Sequence, residues 1–416
     1  MEKTINIGFT GDLSFSGYFK GCENDDYLID DRIKEFLSGN DYNVINFESP
    51  VTPCRITKKK RLAHRCGEDA LDFVQRNIKN PVLSFANNHM MDFGYIGVID
   101  TLDACKEKNL PCIGIGLDVN EACRYVVLGE ETKVAVLAIE YKKYLIATEN
   151  RSGPLHESMT DYIKKAIKEM KKAADYAVVV YHGGEEFLHA PMPYIRRQLR
   201  QYISWGADAV VAHHPHVVQG YEYVNGNPIF YSLGNFVFDT DYQRAQEDTE
   251  NGMLLRLSFT GKTVSFSFLP THIDRESRKV TAGDDVRFFH DVSRGYDKLW
   301  SLEAARRKDT KARAEKLKEE EVAQREERKE TERVRIEALQ AAAELREAMY
   351  DKSDNEIAEE GIEEAADTDE ITETAKKKSF HDYAKAFYKK FIVKRKDNAR
   401  ALVIKFGQLK AKTIYR

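Results

Sequence analysis

From the first residues to about position 270, short apolar, β-branched runs alternate with stretches of helical periodicity. The runs at 4–10 (TINIGFT), 43–47 (NVINF), 82–86 (VLSFA), 133–139, 176–181 (YAVVVY), 207–212, 228–233 and 253–258 predict strands. Helical patterns fill 95–108, 158–174 and 193–205, the last opening on a proline suited to a first helical turn. Near-continuous apolar strands between helices predict sheets buried on both faces, an α/β architecture. The Asn225-Gly226 pair between two strand runs is a hairpin signal, so part of the sheet is expected to be antiparallel.

The pattern changes after about residue 300. Between Lys311 and Arg335, 17 of 25 residues are charged, with both signs interspersed and no Pro or Gly. Such spacing supports a solvated helix, or one that pairs with another as a coiled coil. The expected organisation is a domain over 1–300, a charged helical extension over 301–350, an acidic linker over 351–375 and a basic tail over 376–416.

Composition then sets limits. With 42% hydrophobic and 32% charged residues the 416-residue chain can form a core, which excludes wholesale disorder. The net charge of −4 is a cancellation. Residues 1–350 carry 49 basic and 55 acidic groups, 351–375 carry 1 and 11, and 376–416 carry 14 and 2. No run of about 18 apolar residues occurs, so no transmembrane helix is expected. The first residues enter strand alternation at once and leave no room for a signal peptide. The six cysteines lack metal-site spacing and read as reduced packing residues of a cytoplasmic protein.

The chemistry-bearing residues fall at the C-terminal ends of the expected strands, where the loops of α/β sheets converge. They are Gly11-Asp12, Asn46-Phe47-Glu48, Asn87-Asn88-His89 with Asp92, His182 followed by Glu185 and Glu186, His213-His214-Pro215-His216, and Asn235. Each has a bland alternative: Gly-Asp as a turn, Asn-Asn-His as a helix cap, a single histidine as structure. Their recurrence at successive strand ends favours a common site. In an extended segment alternate side chains share a face, so His214 and His216 are expected to point together and His213 away. Carboxylates, amides and imidazoles in this mixture suit Mn, Fe or Zn, one ion or two, in a hydrolytic centre acting on phosphorus or carbonyl electrophiles.

The runs NFESPVT (46–52), ANNHMMDFGYIGVIDTL (86–102), AHHPHVVQGYE (212–222) and IFYSLGNFVFD (229–239), with Gly11-Asp12, resemble the CapA family of poly-γ-glutamate capsule biosynthesis proteins. That resemblance covers about residues 4–270. It implies a fold similar to calcineurin-like metallophosphoesterases, two packed β-sheets flanked by helices in a four-layer sandwich. It also implies metal ligation by Asp12, Glu48, Asn88, His182, His214 and His216, with Glu48 in a bridging position. His89 would be the acid/base and Asp92 its orienter, with Glu185, Glu186 and Asn235 as substrate contacts or supports of the ligands. Two departures stand out. Ser14 occupies a position where such enzymes carry a histidine, and Ala212 stands where a glycine is usual. Without that histidine the first metal position would keep only Asp12, Glu48 and His216. The implied role is making or processing poly-γ-glutamate or a related anionic surface polymer, alongside capsule-synthesis enzymes. The alternative is a non-catalytic scaffold, which Ser14 favours.

In the tail, Phe380, Tyr383, Phe387 and Phe391 recur at helical spacing among Lys385, Lys389, Lys390 and Lys394. This predicts a basic amphipathic helix that packs on the domain, lies on an anionic membrane surface at the inner face, or binds a polyanion; nucleic acid is the least favoured partner.

Overall fold

The computed structural model describes residues 3–57, 62–141, 145–284 and 289–305, residue 308, and scattered residues between 322 and 340. The chain divides into two units, 1–308 and 309–416. The described residues of the second unit are helical and carry exposed ion pairs such as Lys329–Glu326 and Arg333–Glu330. The acidic linker and the basic tail expected from the sequence lie outside the described residues.

The first unit is built on two main sheets. One runs Lys279–Ala282, Thr263–Asp274, Asn251–Thr260, Ile5–Phe9, Tyr42–Asn46, Pro81–Ser84, Cys112–Ile113. The strands from Ile5–Phe9 to Cys112–Ile113 are parallel, and the other three join antiparallel. The second runs Val218–Val224, Asn227–Leu233, Ala209–His213, Tyr176–His182, Val134–Glu140, Val126–Leu128, parallel at its centre. Its Val218–Val224 and Asn227–Leu233 strands form the hairpin signalled by Asn225-Gly226, whose φ angles of 52° and 83° suit a primed turn.

Strand periodicity explains the layers. Val134, Val136 and Ala138 turn to one face and pack with Val178, Val180, Ile7, Phe9, Val44 and Val82, forming the core between the sheets. Ala135, Leu137 and Ile139 turn to the other face and meet Ile163, Ile167 and Met170 of helix Thr160–Ala173 and Ile195 and Leu199 of helix Pro193–Trp205. The outer face of the first sheet packs Ile45, Leu83 and Leu254 against helices Asp31–Ser38, Asp69–Asn77 and Gly94–Glu107. The order is therefore helix, sheet, sheet, helix.

A two-stranded ribbon, Asp12–Gly17 with Asn235–Asp239, carries the chain onward from the first strand. Its close approach depends on glycine: a Cβ on Gly11 would lie 2.4 Å from the Gly234 carbonyl oxygen, and Gly234 itself has φ +67°. All six cysteines are free, and burial pushes the Cys66 thiol up to about 12. Among the described residues no helix is long and apolar enough to cross a membrane.

Candidate metal centre

Parallel strands aim their C-terminal ends at one edge, and here both sheets do so together. Asp12 and Glu48 follow strands Ile5–Phe9 and Tyr42–Asn46 of one sheet, while His182 and His213 end neighbouring parallel strands of the other. Asp12, Glu48, His182, His214 and His216 are all buried. Two overlapping groups, Asp12–Glu48–His182 and Glu48–His214–His216, each hold their ligand atoms within 4.8 Å of one another, and Glu48 is common to both.

The distances define the cluster further. His182 Nε2 lies 2.8 Å from Asn88 Oδ1, 3.2 Å from His214 Nδ1 and 3.5 Å from Glu48 Oε1. His216 Nδ1 lies 3.1 Å from Asp12 Oδ2 and 3.0 Å from Asn235 Oδ1, and its Nε2 is 3.8 Å from Glu48 Oε1. Asn235 is fixed in turn by donating to the Thr249 carbonyl at 2.8 Å. His89 Nε2 stands 3.8 Å from Glu48 Oε1, and its Nδ1 is 2.8 Å from Asp92 Oδ2. Glu186 Oε1 is 3.8 Å from His214 Nε2. Glu185 accepts a long hydrogen bond, 3.5 Å, from the Tyr194 hydroxyl.

His213 departs from expectation: its Nδ1 is 3.4 Å from Asp12 Oδ1. The strand ends at His213, and His214 and His216 have left-handed φ values of 98° and 58°. Strand alternation therefore stops, and three imidazoles converge where it would have turned one away. Ser14 offers no nitrogen; its Oγ bonds Ser16 Oγ at 2.9 Å, and Ser16 reaches His64 Nδ1 at 2.7 Å. The imidazole beside Asp12 comes from His213 instead.

Two further residues belong to the site. Asn46 Nδ2 donates to Asp12 Oδ1 at 2.8 Å and lies 3.2 Å from His182 Nδ1, tying the two sheets together. Its signal was present, because Asn46 stands in the Asn46-Phe47-Glu48 run at the strand end. The backbone N–H of His64 donates to Asp92 Oδ2 at 2.7 Å, and its ring sits 4.1 Å, centroid to centroid, from that of His89. Nothing in the pattern around His64 marked it, since it sits in an irregular basic loop.

The electrostatics show what the cluster lacks. Burial disfavours the charge of Asp12, yet His213 and His216 outweigh it and hold its carboxyl well below the ordinary range. Glu48 is pushed up, chiefly by burial. Burial also opposes a proton on His216, but Glu48 and Asp12 hold it up to about 9. Asp12 Oδ2 and both Glu48 oxygens are buried without a hydrogen bond. Buried carboxylate oxygens normally find donors. Orphaned oxygens ringed by imidazoles are a donor set that fits a divalent cation.

The chain is 28% identical over 317 residues to the PGA biosynthesis protein CapA of Bacillus subtilis (strain 168), covering 73% of this chain and 81% of that one. It is 29% identical over 316 residues to the capsule biosynthesis protein CapA of Bacillus anthracis, covering 72% and 76%. Superposition on a hypothetical protein from Thermus thermophilus gives a TM-score of 0.41 at 12% identity, over 64% of this chain and 98% of that one. A 5'-nucleotidase from Candida albicans SC5314 gives 0.37 at 10% identity, over 73% and 58%. The four-layer arrangement therefore stands on this chain's own strand order and core. Residues 6–240, which contain every residue of the cluster, match the sequence model of the bacterial capsule synthesis protein PGA_cap, and the chain belongs to that family.

Proposed function

We propose that this protein acts in the biosynthesis or processing of poly-γ-glutamate, or a related anionic surface polymer, through a metal-dependent hydrolase-type site. One observation carries the reading: the buried oxygens of Asp12 and Glu48 that accept no hydrogen bond, in the midst of four histidines. The family and the CapA relatives support the polymer.

Asp12, Glu48, Asn88, His182, His214 and His216 would hold the ion, Mn, Fe or Zn, with Glu48 shared if two bind. Bound there, a divalent ion supplies Lewis acidity toward a carbonyl or phosphoryl oxygen and makes water a better nucleophile. The protein's own groups do the rest. His89, 3.8 Å from Glu48 and backed by Asp92, is placed to give a proton to the leaving group, and the Asp92 carboxylate fixes its ring. Asn46 holds Asp12 and His182 in register, and Asn235 orients His216. Glu186 stands at the outer side of His214, toward incoming substrate.

Turnover of γ-linked glutamate oligomers and of a simple phosphodiester by the metal-loaded chain tests the reading. His89→Gln is expected to lower the rate by about 10²–10⁴-fold while leaving metal content unchanged. Absence of turnover of either electrophile would leave the non-catalytic scaffold, the reading that Ser14 favours. In the same proposal the protein works in the cytoplasm, with the 376–416 tail on the anionic inner face of the membrane. Sedimentation with anionic liposomes should fall sharply for a chain ending at Ala375, and equal binding would dispose of the tether.

A further inference from the structure

A cavity of about 640 Å³ opens beside the metal cluster, bounded by Tyr18, Lys20, His64, Arg65, Phe93 and Tyr242. It meets the site at two points. On one side Ser16 holds His64, whose ring packs edge-on against that of His89. On the other the Tyr242 hydroxyl donates to Glu186 Oε2 at 3.0 Å, and Glu186 faces His214. The cavity thus borders His89 and Glu186 through His64 and Tyr242.

The lining has a definite chemistry. Lys20 and Arg65 form no ion pair among the described residues; the Arg65 guanidinium only donates to the Thr52 carbonyl at 3.3 Å and lies over the Phe93 ring. Two acids also line the groove. Asp241 accepts from the Tyr18 hydroxyl at 2.6 Å and so fixes that ring, which is capped on one face by Arg244 at 3.4 Å. Glu23 stands at the wall, its backbone carbonyl accepting from Arg76 at 2.8 Å. Two unpaired cations, an acceptor and three aromatic faces match a chain that carries carboxylates, amide N–H groups and methylenes together.

We infer that this groove is the binding channel for a carboxylate-bearing polyamide strand of the γ-linked glutamate type. Lys20 and Arg65 take its carboxylates, Glu23 takes an amide N–H, and Tyr18, Phe93 and Tyr242 cover its methylenes. The inference rests on the capsule-polymer reading and assigns that substrate its path to the centre.

Calorimetric titration of the full chain with a γ-linked glutamate heptamer tests it, against the same oligomer with its α-carboxyls amidated and against inorganic phosphate. Lys20→Glu is expected to weaken heptamer binding about fivefold, and Lys20→Glu with Arg65→Glu at least about tenfold, with the amidated oligomer equally weak toward wild type. Unchanged affinity in both variants would overturn the inference, because binding would then lie elsewhere, on the basic tail for example. So would no binding by wild type, or phosphate displacing the heptamer with the same dependence on Lys20. Should the double variant fail to fold, Lys20→Glu decides alone, since its side chain is exposed. Metal content measured on the same samples separates the two claims. Binding that depends on Lys20 in protein without metal keeps the channel and removes the metal centre. Bound metal with binding indifferent to Lys20 does the reverse.

Discussion

Glu48 and Glu222 are both glutamates with no exposed surface, one in each sheet's territory, and their surroundings could hardly differ more. Glu222 is met by Arg196 at 2.7 Å and Arg200 at 2.6 Å and accepts from the Tyr231 hydroxyl, with the Tyr296 ring beneath Arg196. These partners outweigh its burial and bring its carboxyl down to about 2. Among the described residues no arginine or lysine pairs with Glu48, its two oxygens accept no hydrogen bond, and burial pushes it up. A carboxylate built for structure brings its own cations. A carboxylate built for a site leaves that place to imidazoles, and His216, whose proton Glu48 and Asp12 hold, would give it up to become a metal ligand.

The sharpest way to break this contrast is to remove each carboxylate. Glu222→Ala should destabilise the fold by about 3 kcal/mol, because two arginines lose their partner at a buried position. Chemical denaturation measures it, and metal content should not change. Glu48→Gln should act oppositely in metal-free protein, stabilising it by about 1–2 kcal/mol as an unsatisfied buried carboxylate is replaced. Destabilisation of the metal-free form by Glu48→Gln would mean that Glu48 is already paired, and the contrast would fail.

Acidity sharpens the comparison. Because the folded pKa of Glu222 is depressed, its contribution is present above its ordinary value of 4.5 and is lost as pH falls toward about 2. Glu303 has the opposite sign. It is buried in helix 296–305, where it accepts from the backbone N–H of His189 at 2.8 Å, and burial raises its carboxyl to about 7. The His189 ring is itself 3.0 Å from Asp248. A raised acid holds its proton in the fold, so its contribution is present below 4.5 and lost as pH rises through about 7. Unfolding free energies of Glu303→Gln and wild type should therefore differ little at pH 4 and separate by about 2–3 kcal/mol above pH 7, with the variant the more stable. A constant difference across that range would place the titration elsewhere.

Much of this was legible in the chain. Eight strand runs and three helices read from periodicity coincide with observed elements to within a few residues, because strands buried on both faces are written as unbroken apolar runs. The ribbon Asp12–Gly17 was not legible. Its sequence, DLSFSG, carries the weak alternation of a short strand, and its partner Asn235–Asp239 is more than two hundred residues away. Helices Asp31–Ser38 and Asp69–Asn77 were missed for their shortness. In the cluster, the residues expected at strand ends do converge, whereas His213 and His64 are brought in by irregular backbone. His213 was assigned by strand alternation to the wrong side, because the left-handed φ of His214 is invisible to a two-residue period. His64 reaches His89 from a loop, and no local pattern specifies that contact.

The central claim is that the buried oxygens of Asp12 and Glu48 await a divalent cation. Metal content of the purified full chain, measured by inductively coupled plasma mass spectrometry, tests it directly. The account predicts about one equivalent or more of Mn, Fe or Zn, falling below about a tenth in Glu48→Gln and in His182→Ala but unchanged in Glu222→Ala. Less than about a tenth of an equivalent in wild type after incubation with each ion, unaltered by any of these substitutions, would contradict it.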